Sequence, residues 1–354
     1  MKSLSEIIGH ERAKAVLAAS ARSGRVHHAW IFHGPEGVGK RTLAEAFALA
    51  LLDETTRVEG DRLVSDPDSP TRRLAASGAH PDLHVVTKEL ARFSDDPDIR
   101  KRKLTTIPRE VLVERVIEPA SRSASVRRQS LASKAFIVDE AELMNDAGQN
   151  ALLKTLEEPA PGTVLMLVTS SEERLLPTIR SRSQRVALGP LSDGEMRAWA
   201  KAEGFASERA MALSGGRPGV AVQAAAGGFD RWLEELEPML RDAERGKYSA
   251  ALGPRLKELV DEWARAQVDA SENASKDAAN KAGARALLGL LAERVRRSVR
   301  ALSAEGIEAR RDDLERRVRE LELIGEAEVH VARNVNLQLA MENLSAQLCA
   351  SGSR

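Results

Sequence analysis

Residues 34–40 read Gly34-Pro35-Glu36-Gly37-Val38-Gly39-Lys40, directly after the apolar run Ala29-Trp30-Ile31-Phe32 and directly before a helical pattern at 41–52. This strand, glycine-rich turn and helix form the arrangement that cradles a nucleotide phosphate. Glycines let the backbone curl so that its N–H groups face the anion, the helix N-terminus adds positive potential, and Lys40 reaches the β/γ oxygens. The plainer alternative is a turn that only joins strand to helix. One position breaks the pattern: where a Ser or Thr hydroxyl should ligate Mg²⁺, the chain carries Arg41. Thr42 cannot substitute for it, because one step along an α-helix turns the side chain by about 100°. Gly34, Gly37, Gly39, Lys40, Arg41 and Thr42 are the candidate nucleotide contacts. They offer groups for ATP but no hydroxyl in the right place for magnesium, so weak or absent hydrolysis is expected.

Outward from the loop, helical and strand patterns alternate, as in α/β proteins. Helices are expected at 11–21, 41–52, 108–121 and 147–156, and strands at 29–32, 83–86, 135–138, 164–168 and 185–188. The polar stretch 53–78, with Asp66-Pro67-Asp68-Ser69-Pro70, reads as a loop, and the charged stretch 97–106 as irregular. Phe136-Ile137-Val138-Asp139-Glu140 is an apolar run ending in two carboxylates, expected on a strand neighbouring the loop's own. Beside a phosphate loop, such a pair holds Mg²⁺ through water and polarises the attacking water; by itself it is also a common strand exit. Thr169 ends the strand 164–168 and could face the phosphate. Arg182 sits on a turn in Pro177-Thr178-Ile179-Arg180-Ser181-Arg182-Ser183, where an arginine can reach a neighbour's γ-phosphate. Arg217, after Gly215-Gly216, could reach the same nucleotide as the loop; a solvated turn arginine is the alternative for each.

Beyond Gly189-Pro190 the strand patterns stop. Ser192 with Glu195 three residues later has capping-box spacing for a helix at 192–203, and a helix of small residues is expected at 220–226. From about 230 to 350 the chain reads as nearly all helix, with a polar, Ala-rich interruption at 271–281. The expected division is therefore a parallel-sheet α/β P-loop domain at 1–189, a small helical domain at 190–229 and an all-α domain at 230–354.

Composition narrows the function classes. In 354 residues, 53 Lys and Arg balance 53 Asp and Glu, so the whole molecule is no electrostatic glove for nucleic acid or anionic membrane. The one cysteine, Cys349, allows neither an intrachain disulfide nor a cysteine-rich zinc site, which fits a reducing cytoplasm. No apolar run approaches membrane-spanning length, and the first residues do not open a signal peptide. Residues 101–130 carry eight basic side chains (Lys101, Arg102, Lys103, Arg109, Arg115, Arg122, Arg127, Arg128) against Glu110, Glu114 and Glu118. That excess suits phosphate tracking or a merely solvated helix face. The run Arg294-Val295-Arg296-Arg297-Ser298-Val299-Arg300 reads as pairing between helices or subunits.

Taken in order, these elements resemble the clamp-loader branch of the AAA+ ATPases, and within it the delta-prime group of bacterial DNA polymerase III subunits. The resemblance rests on Ile7-Ile8-Gly9-His10, the segment 28–40, His80-Pro81-Asp82-Leu83, the segment 135–144, Asn150-Ala151-Leu152-Leu153-Lys154-Thr155-Leu156-Glu157-Glu158-Pro159 and the segment 175–182. It implies an AAA+ domain, a helical lid and a helical oligomerisation collar. It also implies a stator-like place in a five-membered ring with gamma/tau-like motor subunits and a delta subunit, acting on a sliding clamp and primer-template DNA. The family's Ser-Arg-Cys motif, which supplies an arginine finger in trans, reads Ser181-Arg182-Ser183 here. Asp139 and Glu140 would then be vestigial and His80-Pro81-Asp82 a structural turn. Members often carry a four-cysteine zinc module, but 53–78 contains no cysteine and no zinc is expected. The alternative within the superfamily is an ATP-hydrolysing gamma/tau-type motor, against which Arg41 speaks.

Overall fold

The computed structural model describes residues 1–24, 26–101, 104–122, 124, 130–269 and 275–352, with Asp230 described by its backbone alone. Two compact units result: Met1–Phe205 with Gly216–Gly219, and Ala206–Gly215 with Val220–Arg354.

In the first unit, α1 (Glu11–Arg22), β1 (Ala29–His33) and α2 (Lys40–Leu52) precede a hairpin, β2 (Arg57–Glu59) and β3 (Arg62–Val64). Then come α3 (Pro70–Ala76), β4 (Leu83–Val86) and α4 (Pro97–Arg100). Next, α5 (Arg109–Leu112) and α6 (Glu118–Ser121) are joined by a π-helical turn, Val113–Ile117. The unit continues through β5 (Lys134–Val138), α7 (Asp146–Glu157), β6 (Thr163–Thr169), α8 (Pro177–Ser181), β7 (Gln184–Ala187) and α9 (Asp193–Glu203). The main sheet runs β4-β5-β6-β1-β7 with every pair parallel, Ala29 opposite Leu165 and Phe136 opposite the same residue from the other side.

Parallel strands need crossover helices, and those cover both faces of the sheet. Accordingly β5 and β6 are buried along their whole length. Alternation along β1 sends Trp30 and Phe32 to a core with Leu17, Leu43, Phe47 and Leu51, and Ile31 to a second core with Val111, Val116, Leu152 and Ile179. Truncating a ring such as Phe47 in such a core costs roughly 3–5 kcal/mol. The strands expected from sequence are all present. The acidic strand, however, does not adjoin the loop's strand: β6 lies between β1 and β5.

Two polar stretches are more ordered than their composition predicts. Within 53–78, buried Asp53 accepts hydrogen bonds from Thr55 N (2.9 Å) and Thr55 Oγ1 (2.8 Å), and from Ser69 Oγ (2.5 Å). Ser69 in turn caps α3, with Pro70 in its first turn. One carboxylate thus ties the end of α2 to the start of α3, with the hairpin as the excursion between them. Within 97–106, Asp96 caps the short α4; Arg102 and Lys103, like Arg127 and Arg128, lie outside the described residues. His80-Pro81-Asp82 is a turn with His80 and Asp82 buried and Pro81 exposed, in which Asp82 N–H donates to His80 Nδ1 (3.2 Å) and Ala135 N–H to the Asp82 carbonyl (2.9 Å). The Ser192 and Glu195 capping box is present at the start of α9.

The second unit contains α10 (Glu208–Ser214), most of α11 (Pro218–Gly227), then α12 (Phe229–Glu244), α13 (Leu252–Asp269), α14 (Lys276–Glu305), α15 (Arg311–Ala332) and α16 (Leu337–Gly352). It is all-helical, with α13 packed on α14 and α16, and α15 on α14 and α16. The interruption expected at 271–281 is partly helix: Ser275 caps α14 at Ala278 N, and Lys281 pairs with Asp277 one turn back. Residues 271–274 lie outside the described residues. Arg294, from the basic run, pairs with Glu237 (2.9 Å) and Glu244 (2.6 Å) of α12, and Arg317 of α15 meets Glu244 (2.6 Å) and Glu320 (2.7 Å). Burial pushes the Glu244 carboxyl up, but two guanidiniums overcome it and leave its pKa low. Glu320, more buried and held by one arginine, stays above its usual range. No helix among the described residues is long and apolar enough to cross a membrane.

The tightest backbone demand in the first unit is at Gly34, where φ is +142° and an added Cβ would lie 2.0 Å from the Leu188 carbonyl oxygen. Gly34→Ala is expected to cost at least about 2 kcal/mol, from the unfavourable φ and the clash together. Urea unfolding checks this; a midpoint equal to that of the unaltered chain would contradict the geometry.

Candidate functional site

The phosphate loop leaves β1 at His33, the half-buried end of the strand, where Leu188 N–H donates to the His33 carbonyl (2.8 Å) and fixes the approach of Gly34 to residue 188. Gly37 and Gly39 also have positive φ, +79° and +99°, so three of the seven residues adopt backbone that other residues rarely take. Two further contacts grip the loop. His10 Nε2–H donates to the Val38 carbonyl (2.9 Å), and Gly219 N–H donates to the Gly37 carbonyl (2.8 Å). Gly219 comes so near that a Cβ there would lie 2.9 Å from Gly37 Cα. Arg217 therefore stands two residues from a backbone contact with the loop, half-buried.

Lys40 opens α2 and is 7% exposed. Its Nζ donates to the Pro35 carbonyl and to Ser170 Oγ, both at 2.9 Å. Burial lowers its pKa, against the opposing charges of Glu142, Glu36 and Asp139. Arg41 donates from Nε to Glu45 (2.7 Å), one turn along α2, and from an Nη to Asp139 Oδ2 (3.2 Å). The residue in place of the metal-ligating hydroxyl is thus bonded to the carboxylate that should share the metal.

Asp139 follows β5, its N–H donating to the Val86 carbonyl (2.9 Å). Glu140 has φ +50° and pairs with Lys88 (2.7 Å). Burial is the larger influence on its carboxyl and raises the pKa, with Lys88 acting in the opposite direction. Thr42 is exposed on α2. Thr169 is buried, and its Oγ1 accepts from Ser171 N (3.0 Å). The group that meets Lys40 is Ser170, one residue on, whose N–H donates to Glu142 (3.1 Å). Neither Ser170 nor Glu142 was singled out from sequence. The signal that could have found the first is its place as the first residue past a fully buried apolar strand, where polar groups gather. Arg182 lies elsewhere on the unit, at the end of α8. One Nη meets Glu157 (2.7 Å) and the other the Thr178 carbonyl (3.1 Å).

A central phosphate loop in an all-parallel sheet of this order, with an acidic strand end and an arginine-bearing turn after the next strand, defines a P-loop module of the AAA+ clamp-loader class. The chain belongs to the family described as "DNA polymerase III, delta subunit", whose pattern matches residues 9–192. It is 34% identical over 196 residues to DNA polymerase III subunit delta' of Pseudomonas aeruginosa, a match covering 54% of this chain and 53% of that protein. With subunit delta' of Escherichia coli the identity is 31% over 220 residues, covering 61% and 59%. With subunit gamma/tau of Mycobacterium tuberculosis H37Rv it is 30% over 196 residues, covering 55% and 30%. The matched part thus spans little more than half the length of these delta' relatives.

Magnesium does not fit the residues present. Position 41 offers a cation instead of a hydroxyl, and Asp139 is already bonded to it. Arg41→Thr should free Asp139 and supply the hydroxyl, making ATP affinity on the order of tenfold tighter with magnesium than without. An equilibrium titration of both proteins checks this; equal affinities with and without the metal in the variant would overturn the reading.

A pH dependence follows from His10, His28 and His84, whose pKa values burial holds below the usual 6.5. The unfolded chain takes up these protons more readily, so their contribution to stability is complete above 6.5 and is lost as pH falls below it. Glu140, with a raised pKa, acts in the opposite sense above 4.5. The urea midpoint should drop between about pH 7.5 and about pH 5.5, and His84→Gln should reduce that drop. An unchanged slope in the variant would contradict it.

Proposed function

We propose that this chain is a delta-prime-type subunit of a DNA polymerase III clamp loader, acting in the cytoplasm beside gamma/tau-like motor subunits and a delta subunit to place a sliding clamp on primer-template DNA. In this reading it hydrolyses little ATP itself, and Arg182 serves as an arginine finger for a neighbouring motor subunit. The observation that carries it is the Arg41–Asp139 bond, which joins two positions that a hydrolysing site would give to its metal.

The chain's own groups divide accordingly. Lys40, Ser170, Glu142 and the gripped loop maintain a phosphate-cradle shape whose cation is already bonded within the protein. Arg182 is 38% exposed in its side chain. A guanidinium at a subunit surface can stabilise charge developing on another subunit's phosphate. The family match and the delta' and gamma/tau likenesses support the assignment to a multi-subunit loader. We further propose that 1–189, 190–229 and 230–354 act as nucleotide-fold, lid and collar segments.

The isolated chain should turn over ATP no faster than its Lys40→Ala variant. In the assembled loader, Arg182→Ala should lower clamp- and DNA-stimulated turnover several-fold. Steady-state assays read both. Robust turnover by the isolated chain that Lys40→Ala abolishes would favour a gamma/tau-type motor instead.

A further inference from the structure

We infer that Glu157 is a positioning residue for Arg182, fixing the guanidinium in the orientation from which it meets a neighbour's phosphate; this rests on the finger role proposed above.

A free arginine side chain samples many rotamers, and fixing one costs entropy when the ligand arrives. Arg182 is already fixed through two of its groups, one Nη on the Glu157 carboxylate at 2.7 Å and the other on the Thr178 carbonyl at 3.1 Å. Of the five N–H donors a guanidinium carries, the hydrogen bond to Thr178 uses one, and the ion pair with Glu157 sets the direction of the group while donors remain for a partner.

The two anchors sit on elements that are locked together. Glu157 is the last residue of α7, and Thr178 lies in α8. Between them Gln149, 2% exposed, accepts from Leu176 N (2.7 Å) and donates to the Met144 and Arg174 carbonyls (both 3.2 Å). Buried and bonded at both ends of its amide, Gln149 holds α7 against the segment that leads into α8. The carboxylate and the arginine are therefore carried on one rigid frame.

Stability does not account for the pair. The side chains of Arg182 and Glu157 are 38% and 50% exposed, and an ion pair that open to water contributes little to folding. A carboxylate in the last turn of a helix also faces the negative end of its dipole, so Glu157 is unfavourably placed for α7 itself. What the pair does supply is a defined direction for the guanidinium, which matters because a misplacement of about 1 Å can cost on the order of a hundredfold in rate.

The test uses the chain assembled with its motor and delta partners, with stimulated ATP turnover as the readout and Arg182→Ala as the reference. Glu157→Ala is expected to remove most of the kcat that Arg182→Ala removes, with KM for ATP within about twofold. Glu157→Gln, which keeps an acceptor oxygen for the guanidinium, should restore turnover. The double variant should be no slower than Arg182→Ala alone, and the melting temperature of Glu157→Ala should lie within about 3 °C of the unaltered chain. If Arg182→Ala lowers kcat while Glu157→Ala does not, or if Glu157→Gln is as slow as Glu157→Ala, the positioning role is overturned and the finger role stands. If Arg182→Ala has no effect, the finger role falls and this inference with it.

Discussion

A strand buried on both faces has nowhere between its ends to place a polar side chain. In the first unit β5 and β6 are buried throughout and carry polar residues only at their ends, Lys134, Thr163 and Thr169, and the first four residues of β1 are buried and apolar. Polar chemistry is thereby driven to the strand ends. Because all the neighbours are parallel, those ends lie on one edge of the sheet. The loop after β1, the carboxylates after β5 and Ser170 after β6 meet there for that reason. Each crossover must also bury an apolar helix face, which is why α2, beginning with Lys40, is fixed against the sheet through Leu43, Phe47 and Leu51.

Removing a charge from water is costly unless another charge or a set of dipoles replaces the solvent. The loop region meets this requirement internally. Lys40 has a carbonyl and a hydroxyl, Arg41 has two carboxylates, and Glu140 has Lys88. Arg41 therefore has two consequences at once: it removes a metal ligand and engages the aspartate that would have shared the metal. Arg182 differs from it in its partners, one carboxylate and a backbone carbonyl in place of two carboxylates, while both side chains are partly open to solvent (38% for Arg182, 49% for Arg41). The same fold thus carries a cluster of mutually neutralised charges around the loop and, elsewhere, a cation on a stiff support.

The second unit deals with its charges in the same way over longer helices. Glu244 bridges arginines from α14 and α15, while Glu293, almost fully buried, is met by Arg296 and Arg300 of its own helix. The zero formal net charge of the chain reflects many such local pairings, and the run 294–300 is spent partly between helices and partly along one. Breaking one member would leave a partly buried partner without compensation, which costs more than the pair contributes.

Much of this was legible in the amino-acid order. Runs of apolar residues set the strands, 3.6-residue spacing set the helices, and the loop at 34–40 with Arg41 indicated both the nucleotide-fold character and the missing hydroxyl. These are local properties, decided by neighbours a few positions apart. Other features depend on chain segments far apart in sequence. Asp53 organises 53–78 only because Ser69 returns to it; Ser170 meets Lys40 across 130 positions; Arg41 finds Asp139 across 98. The strand order that inserts β6 between β1 and β5 is likewise invisible to periodicity. The sequence by itself determined which elements form and which chemical groups they carry. Tertiary structure alone decided which of those groups are already bonded to one another, because hydrogen bonds and ion pairs act over about 3 Å in space whatever the separation along the chain.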